Sequence, residues 1–166
     1  MRKRIPLIIV VCILFCVSVF VLIYTRPQTI EQRYPELDLS ECVGLSGYYC
    51  YSGVETTQSF SISPDDEQFE EMISLFRQAS FRTRLRSILP RGTKSHSGEG
   101  FQWDVYFKFE NIPMKDGSSI SGDVLYVNNF YGDIELSFDG DIVQCSIRDS
   151  DQWLEAIIKI AESYAD

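Results

Sequence analysis

The feature that most constrains this chain is an uncharged run of twenty residues near its start, from Ile5 to Tyr24. Pro6 and Ser18 are the only residues in the run that are not hydrophobic. A helix of this length is about 30 Å long, which matches the hydrocarbon thickness of a bilayer. The run therefore predicts a transmembrane helix rather than a part of a globular core.

The charges on either side of the run predict its orientation. Three basic residues precede it at positions 2–4, whereas the segment that follows Arg26 is acidic. Basic residues stay on the cytoplasmic side of a membrane, so we expect the chain from about residue 26 onward to be extracytoplasmic. A cleaved signal peptide is the alternative, but its apolar region is shorter and ends in small residues, which the segment 21–26 does not provide.

The sequence accordingly divides into three predicted segments. Residues 1–25 form the cytoplasmic tip and transmembrane anchor, residues 26–40 a linker, and residues 41–166 an extracytoplasmic domain. Pro27 and Pro35 interrupt regular structure in the linker. Beyond Arg26 there are 11 basic and 24 acidic residues, a formal net charge of −13. Such acidity disfavours nucleic acid and anionic lipid headgroups as partners of the domain.

Alternation of apolar and polar residues, together with turn signals, predicts the elements of the domain. Period-two alternation predicts strands, and apolar residues at helical spacing predict helices. Ser63, followed by Pro64 and three acids, predicts the start of one helix, and Asp149 or Ser150 caps another. The expected strands are 42–51, 54–62, 80–87, 101–109, 120–127, 133–138 and 141–148.

The order of these elements, β-β-α-β-β-β-β-β-α, predicts the fold class. Short connections and clean alternation are typical of an α+β domain with one antiparallel sheet and two helices packed on its apolar face. The Asp-Gly pair at 139–140 lies between two β-like runs and predicts a tight type I′ hairpin. Closing that turn places Leu136 opposite Val143. The same register places Ile134 opposite Cys145.

Three cysteines, Cys42, Cys50 and Cys145, lie beyond the apolar run. An oxidising compartment would allow one pair of them to form a disulfide. We interpret them instead as buried thiols that pack as small hydrophobic groups. Their spacing leaves both alternatives open.

The residues that catalysis or cofactor binding would need are scarce. The only histidine, His96, lies in a segment rich in glycine and polar residues, where a catalytic base would not be held in place. The sequence has no zinc-ligand spacing and no glycine-rich phosphate loop. We therefore expect a protein that is not an enzyme and needs neither a metal nor a cofactor.

The clearest unevenness of charge is a basic cluster between Arg77 and Lys94, which holds six of the eleven cations beyond Arg26. Within it, Arg82, Arg84, Arg86 and Arg91 are the candidate site residues. Guanidinium groups on one face of a strand can bind phosphate or carboxylate groups of a partner. Alternatively, they form ordinary cross-strand ion pairs with acids such as Asp104.

Aromatic residues suggest a second candidate surface. Tyr48, Tyr49 and Tyr51 cluster near the start of the domain, and Phe130 and Tyr131 interrupt two strands. Exposed tyrosines are typical of protein-interaction surfaces. The alternative is that these rings complete the core of the sheet.

The layout resembles that of small bacterial proteins of unknown function with one N-terminal membrane anchor and a compact extracytoplasmic α+β domain. The similarity lies in the Met-Arg-Lys-Arg opening with its uncharged run, the acidic-capped helix before residues 81–86, and the final strand that leads through 146–149 into the Trp153 helix. A helix cradled by an antiparallel sheet is also similar to cystatin-like folds, which host binding and inhibition as often as catalysis.

The expected function is that of a membrane-anchored binding or accessory module without catalytic activity. Its expected partners are the membrane, through one helix, and a protein or an anionic envelope polymer. One alternative is a sensor or assembly subunit that acts through its transmembrane helix. The other is a secreted or surface hydrolase.

Overall fold

The computed structural model describes residues 4–51, 57–85, 102–130 and 133–165, with side chains at all of these except residues 4–7, 130 and 133. These residues form four helices, eight strands and one short 3₁₀ turn, Leu39–Glu41. The helices are α1 (Arg4–Tyr24), α2 (Ile30–Arg33), α3 (Phe69–Gln78) and α4 (Ser150–Ser163). The strands are β1 (Pro27–Gln28), β2 (Cys42–Cys50), β3 (Gln58–Ile62), β4 (Phe81–Thr83), β5 (Gln102–Pro113), β6 (Ser119–Phe130), β7 (Asp133–Phe138) and β8 (Asp141–Ile147).

All eight strands belong to one sheet with the order β1-β4-β8-β7-β6-β5-β2-β3. Every pair of neighbouring strands is antiparallel. The predicted α+β class and the single antiparallel sheet are confirmed. From β2 onward, the sequence of elements is also the predicted one.

The hairpin between β7 and β8 has the predicted register and turn. Leu136 pairs with Val143, and Ile134 pairs with Cys145. Asp139 and Gly140 have φ angles of 46° and 80°, and a type I′ turn needs positive values at both central residues. The local Asp-Gly signal was therefore sufficient to fix the pairing of these two strands.

Helices α3 and α4 pack on one face of the sheet, which we call the apolar face. Phe76 of α3 meets Phe107 of β5 edge to face, with ring centroids 4.8 Å apart. Trp153 of α4 lies against the same Phe76 ring at 5.2 Å, and its indole N–H donates a hydrogen bond to the Leu75 carbonyl. The apolar face itself is formed by Leu45, Phe60, Val105, Phe107, Leu125, Val127, Leu136, Val143 and Cys145, all buried.

Residues 26–40, which are predicted to be a linker, contain β1, α2 and the first two residues of the 3₁₀ turn. Ile30 and Leu39 are fully buried in the same core as the sheet residues. Helix α2 begins with a capping box, in which the Thr29 hydroxyl accepts from the Gln32 N–H and the Gln32 side chain accepts from the Thr29 N–H. This Thr-x-x-Gln pattern is the local signal of a helix start in the segment.

Two local predictions are wrong. Helix α3 begins at Phe69 rather than just after Ser63, because Ser63 donates its backbone N–H and its hydroxyl to the Asp66 carboxylate and so closes a separate turn. The period-two pattern of the predicted strand 80–87 places Leu85 on the same face as Phe81 and Thr83, but Leu85 is 47% exposed. Strand β4 ends at Thr83, so the alternation that would bury Leu85 does not reach it.

The predicted membrane anchor is corrected by the structure. Among the residues that the structure describes, no helix is both long and apolar enough to cross a membrane. This finding does not support the predicted transmembrane helix from Ile5 to Tyr24. It also does not support the predicted single-pass cell-membrane location, in which the rest of the chain is extracytoplasmic.

The two edges of the sheet are both short. Strand β1 at one edge has two residues, which pair with Phe81 and Arg82 of β4. Strand β3 at the other edge has five residues. The backbone of Ala165, beyond the end of α4, forms an isolated antiparallel bridge with Phe60 in the middle of β3.

Candidate functional site

The face opposite to α3 and α4 carries buried polar side chains, which was not expected. Asp104, Asn128, Glu135 and Gln144 are each only 7–8% exposed. They lie on β5, β6, β7 and β8 in that order, and each is the register partner of the next. We call them the polar row, and the face that carries them the polar face. A buried polar row across four strands is costly unless its members hydrogen-bond one another or a partner.

Three tyrosines surround the Asp104 end of the polar row. Tyr48 of β2 is the register partner of Asp104, and Tyr106 and Tyr126 pair with each other on β5 and β6. The rings of Tyr106 and Tyr126 are 4.9 Å apart, and those of Tyr48 and Tyr106 are 6.3 Å apart, tilted by 34° and 39°. We call Asp104 and these three residues the tyrosine cluster.

Hydrogen bonds hold the rings of the tyrosine cluster in place. The Tyr126 hydroxyl donates a short hydrogen bond to Asp104 Oδ1 and accepts one from Asn128 Nδ2 at 2.5 Å. Burial, and then hydrogen bonding to Asp104, raises the pKa of both Tyr48 and Tyr126 well above the ordinary value. Both phenols are therefore fixed as neutral donors to one carboxylate at physiological pH.

Asn128 supplies a further acceptor beside the cluster. Its Oδ1 atom is buried and has no hydrogen-bond partner in the described part of the chain. Its Nδ2 atom is bonded to Tyr126, so the free oxygen belongs to an amide group that is anchored within the cluster. Among the described residues, no basic side chain forms an ion pair with Asp104. Within the described part of the chain, the acceptors of the cluster therefore have no complementary cation.

A close approach of β2 to β5 brings the tyrosine cluster together. Gly47, beside Tyr48, is the register partner of Val105. A Cβ atom at Gly47 would lie 2.1 Å from the backbone oxygen of Asp104 and 2.7 Å from the Phe60 ring. Only glycine therefore fits at this position without moving the strand that carries Asp104.

The structure separates Arg82 of the predicted binding strip from Asp104, the acid named as a cross-strand partner. Strand β4, which carries Arg82, pairs with β1 and β8, and three strands lie between it and β5. A cross-strand pair between Arg82 and Asp104 is therefore excluded, and that prediction is wrong for Arg82. Arg82 donates to the Thr25 carbonyl at 3.2 Å, and the Arg84 backbone N–H donates to the Gln144 carbonyl. Arg86 and Arg91 lie outside the described residues, so a binding role of the strip stays a prediction.

Groups suited to metal binding or nucleophilic catalysis are not assembled in the described part of the chain. No group of three or more His, Cys, Asp or Glu residues there could hold a metal ion. Cys42, Cys50 and Cys145 are free thiols, and Cys50 is half-buried whereas the other two are buried. Burial raises the pKa of Cys145 to about 11, so this thiol is protonated and a poor nucleophile at neutral pH. His96 lies outside the described residues.

A cleft of about 490 Å³ lies between α2 and the turns of the β5–β6 and β7–β8 hairpins. Its two cations already have partners within it. Arg33 donates to the Thr83 hydroxyl at 2.9 Å and lies 3.8 Å from Asp141, and Lys115 lies 2.6 Å from Glu36. These contacts attach α2 to the hairpins, so we interpret the cleft as structural.

The tyrosines noted in the sequence divide between the two expected roles. Tyr49 is buried and completes the core, whereas Tyr48 is 39% and Tyr51 45% exposed. The Tyr51 hydroxyl donates to Glu162 on α4, away from the tyrosine cluster. Tyr106, Tyr126 and Asn128 are not among the site residues predicted from the sequence. They occupy the polar positions of the alternating β5 and β6 sequences. Such positions are typical of solvent-exposed side chains, so the pattern does not mark them as a site.

Comparisons with family models, with curated proteins and with solved structures find no match to this chain.

Proposed function

We propose that this chain is a binding module without catalytic activity, and that it binds its partner through the tyrosine cluster on the polar face. The observation that carries the proposal is that the three tyrosine rings are both held in place and accessible to solvent. They remain partly accessible, with Tyr48 39% exposed, although Tyr48 and Tyr126 are hydrogen-bonded to a buried carboxylate and Tyr106 contacts both of their rings. A structural network would need the bonds but not the accessible aromatic surface.

Physical reasons favour such a cluster as a contact surface. Tyrosine offers a large amphipathic area and has few rotatable bonds, and it is enriched at the centres of protein interfaces. Here the rings are already fixed in the free protein, so little side-chain entropy is lost when a partner binds. The low exposure of Asp104 and Asn128 means that a partner at this spot meets acceptors that are already largely desolvated.

The test is capture of a partner by the full-length chain from extract of the source cells, with two matched variants. Tyr48→Ala removes the most exposed ring of the cluster, and Tyr51→Ala removes a tyrosine of similar exposure that lies outside it. We expect a protein that is retained by the wild-type chain and by Tyr51→Ala but lost with Tyr48→Ala. Quantitative mass spectrometry of the retained proteins gives the readout.

Two results would contradict the proposal. One is a set of retained proteins that Tyr48→Ala leaves unchanged. The other is equal loss of retention with both variants, which would reflect a general loss of folded protein. Circular dichroism of both variants before capture separates that second case from loss of a specific contact.

A further inference from the structure

We infer that the tyrosine cluster receives an arginine side chain of the partner protein. The inference deepens the proposed function and rests on it. Three properties of the cluster together point to this residue: a negative charge that no described basic side chain pairs with, a surplus of hydrogen-bond acceptors, and a row of aromatic rings.

The negative charge of the Asp104 carboxylate favours binding of a cation. Asp104 is 8% exposed, and its hydrogen bonds come from the neutral phenols of Tyr48 and Tyr126. Neutral donors lower the cost of burying a carboxylate, but they do not balance its charge. The chain as a whole has a formal net charge of −9, so its long-range field also attracts cations and repels anions.

The acceptors of the cluster call for several N–H donors. Asn128, which is more than nine-tenths buried, has an unpartnered Oδ1, and Asp104 beside it has two oxygens with lone pairs to spare. A guanidinium group carries five N–H donors in a planar fork and accepts none. It can therefore donate more than one hydrogen bond to the cluster without bringing in a competing acceptor.

The rings distinguish arginine from lysine. The Tyr106 ring is tilted by 39° from the Tyr48 ring and by 34° from the Tyr126 ring, so each pair of adjacent rings offers a partly aligned aromatic surface. A planar guanidinium group stacks on such a surface and also keeps its edge free for hydrogen bonds. An ammonium group is compact, strongly hydrated and unable to stack, so it fits this combination less well.

The experiment uses the full-length chain with ¹³C-labelled tyrosine rings, whose NMR signals are assigned through Tyr→Phe variants. The probes are a short glycine peptide with one central arginine, the same peptide with lysine, the same peptide with citrulline, and free spermidine. Citrulline has nearly the shape of arginine but no charge. We expect the arginine peptide to move the signals of Tyr48, Tyr106 and Tyr126. We expect the citrulline peptide to bind about tenfold more weakly, because it lacks the cation–π and charge-assisted contacts.

Variants link the shifts to the cluster. Asp104→Asn keeps the shape of the side chain and removes its charge, and we expect about tenfold weaker binding of the arginine peptide. Tyr51→Ala, outside the cluster, should leave binding unchanged. Backbone amide spectra of each variant establish that the sheet is intact before the titration.

Several outcomes would overturn the inference. Absence of any shift, equal binding of the arginine and citrulline peptides, or an Asp104→Asn variant that binds as tightly as the wild type would each do so. Equal binding of spermidine or of the lysine peptide would indicate a general cation site instead of an arginine site. A captured partner that depends on Tyr48, together with no response to arginine, would leave the proposed function standing and remove only this inference.

Discussion

The two faces of the sheet are built from the same strands, yet they are organised by different interactions. On the apolar face, Phe107 is completely buried and meets Phe76 of α3. On the polar face, its neighbour Tyr106 is half-buried and lies in a row of tyrosines around Asp104. Close packing stabilises the first face, whereas hydrogen bonds and desolvated acceptors define the second. Burial alone therefore does not distinguish a core from a site in this molecule.

The largest difference between the faces should appear on truncation of adjacent residues. Phe107→Ala removes a fully buried ring, and we expect it to lower the free energy of unfolding by about 3 to 5 kcal/mol. Tyr106→Ala on the opposite face should lower it by about 1 to 2 kcal/mol, because that ring is only half-buried. Equilibrium urea unfolding followed by circular dichroism measures both values. Equal losses would mean that the polar face is a second core.

The next effect concerns the contact between β2 and β5 that both faces share. Gly47→Ala should lower the free energy of unfolding by about 1 to 3 kcal/mol, because its Cβ would meet the Asp104 backbone. Gly44 in the same strand is the control, since a Cβ there would have no neighbour closer than 3.8 Å. Gly44→Ala should be neutral or slightly stabilising in the same urea experiment. A Gly47→Ala protein as stable as the Gly44→Ala protein would refute the close approach.

A smaller effect isolates the hydrogen bonds of the polar face through their pH dependence. Tyr126→Phe removes the donor to Asp104 and should lower the free energy of unfolding at pH 7 by about 1 to 2 kcal/mol. The pKa of Tyr126 is raised in the folded state, so the unfolded chain loses this proton first as the pH rises through about 10. Stability is therefore present below that pH and declines above it.

The Phe variant cannot lose this proton, so its stability should fall less steeply than that of the wild type between pH 9.5 and pH 11, a window set by the ordinary tyrosine pKa of about 10. Urea unfolding at several pH values gives the two slopes. Parallel slopes for the two proteins would show that Tyr126 contributes nothing to the alkaline loss of stability.

The smallest effect is expected at the solvated margin of the polar face. Ile142 is 44% exposed, and its neighbour Val143 is buried on the apolar face. Ile142→Thr should change the free energy of unfolding by no more than about 0.5 kcal/mol, whereas Val143→Thr buries a hydroxyl group and should cost about 1 to 3 kcal/mol. A large loss at Ile142, measured by the same unfolding curves, would extend the packed region to both faces.

The apolar face could be predicted from the sequence because its signals are local. Period-two alternation in β5 and the Asp-Gly turn between β7 and β8 each act within a few residues, and both predictions hold. The polar row could not be predicted in this way, since its burial depends on which strands become neighbours. Strand order is also what the incorrect pairing of Arg82 with Asp104 depended on. Three strands lie between the strands that carry these two residues.

Two helix starts were also predicted incorrectly, because the local signals in the sequence competed with one another. The sequence predicts Ser63 as the cap of α3, but its hydrogen bonds to Asp66 close a turn before the helix begins. Residues 26–40 were judged by their prolines, although the pair Thr29 and Gln32 carries a helix-start pattern. In both segments the side-chain hydrogen bonds of short polar residues, rather than apolar periodicity, determine the backbone.

The edges of the sheet affect how this chain can associate. A long unpaired edge strand is a template on which another chain can add a strand, which leads to β-augmentation or aggregation. Here β1 offers only two residues, and Ala165 already occupies the centre of β3. Among the described strands, neither edge is therefore a good template. Edge-to-edge association of copies into a continuous sheet is disfavoured. A partner can instead contact the faces and the turns.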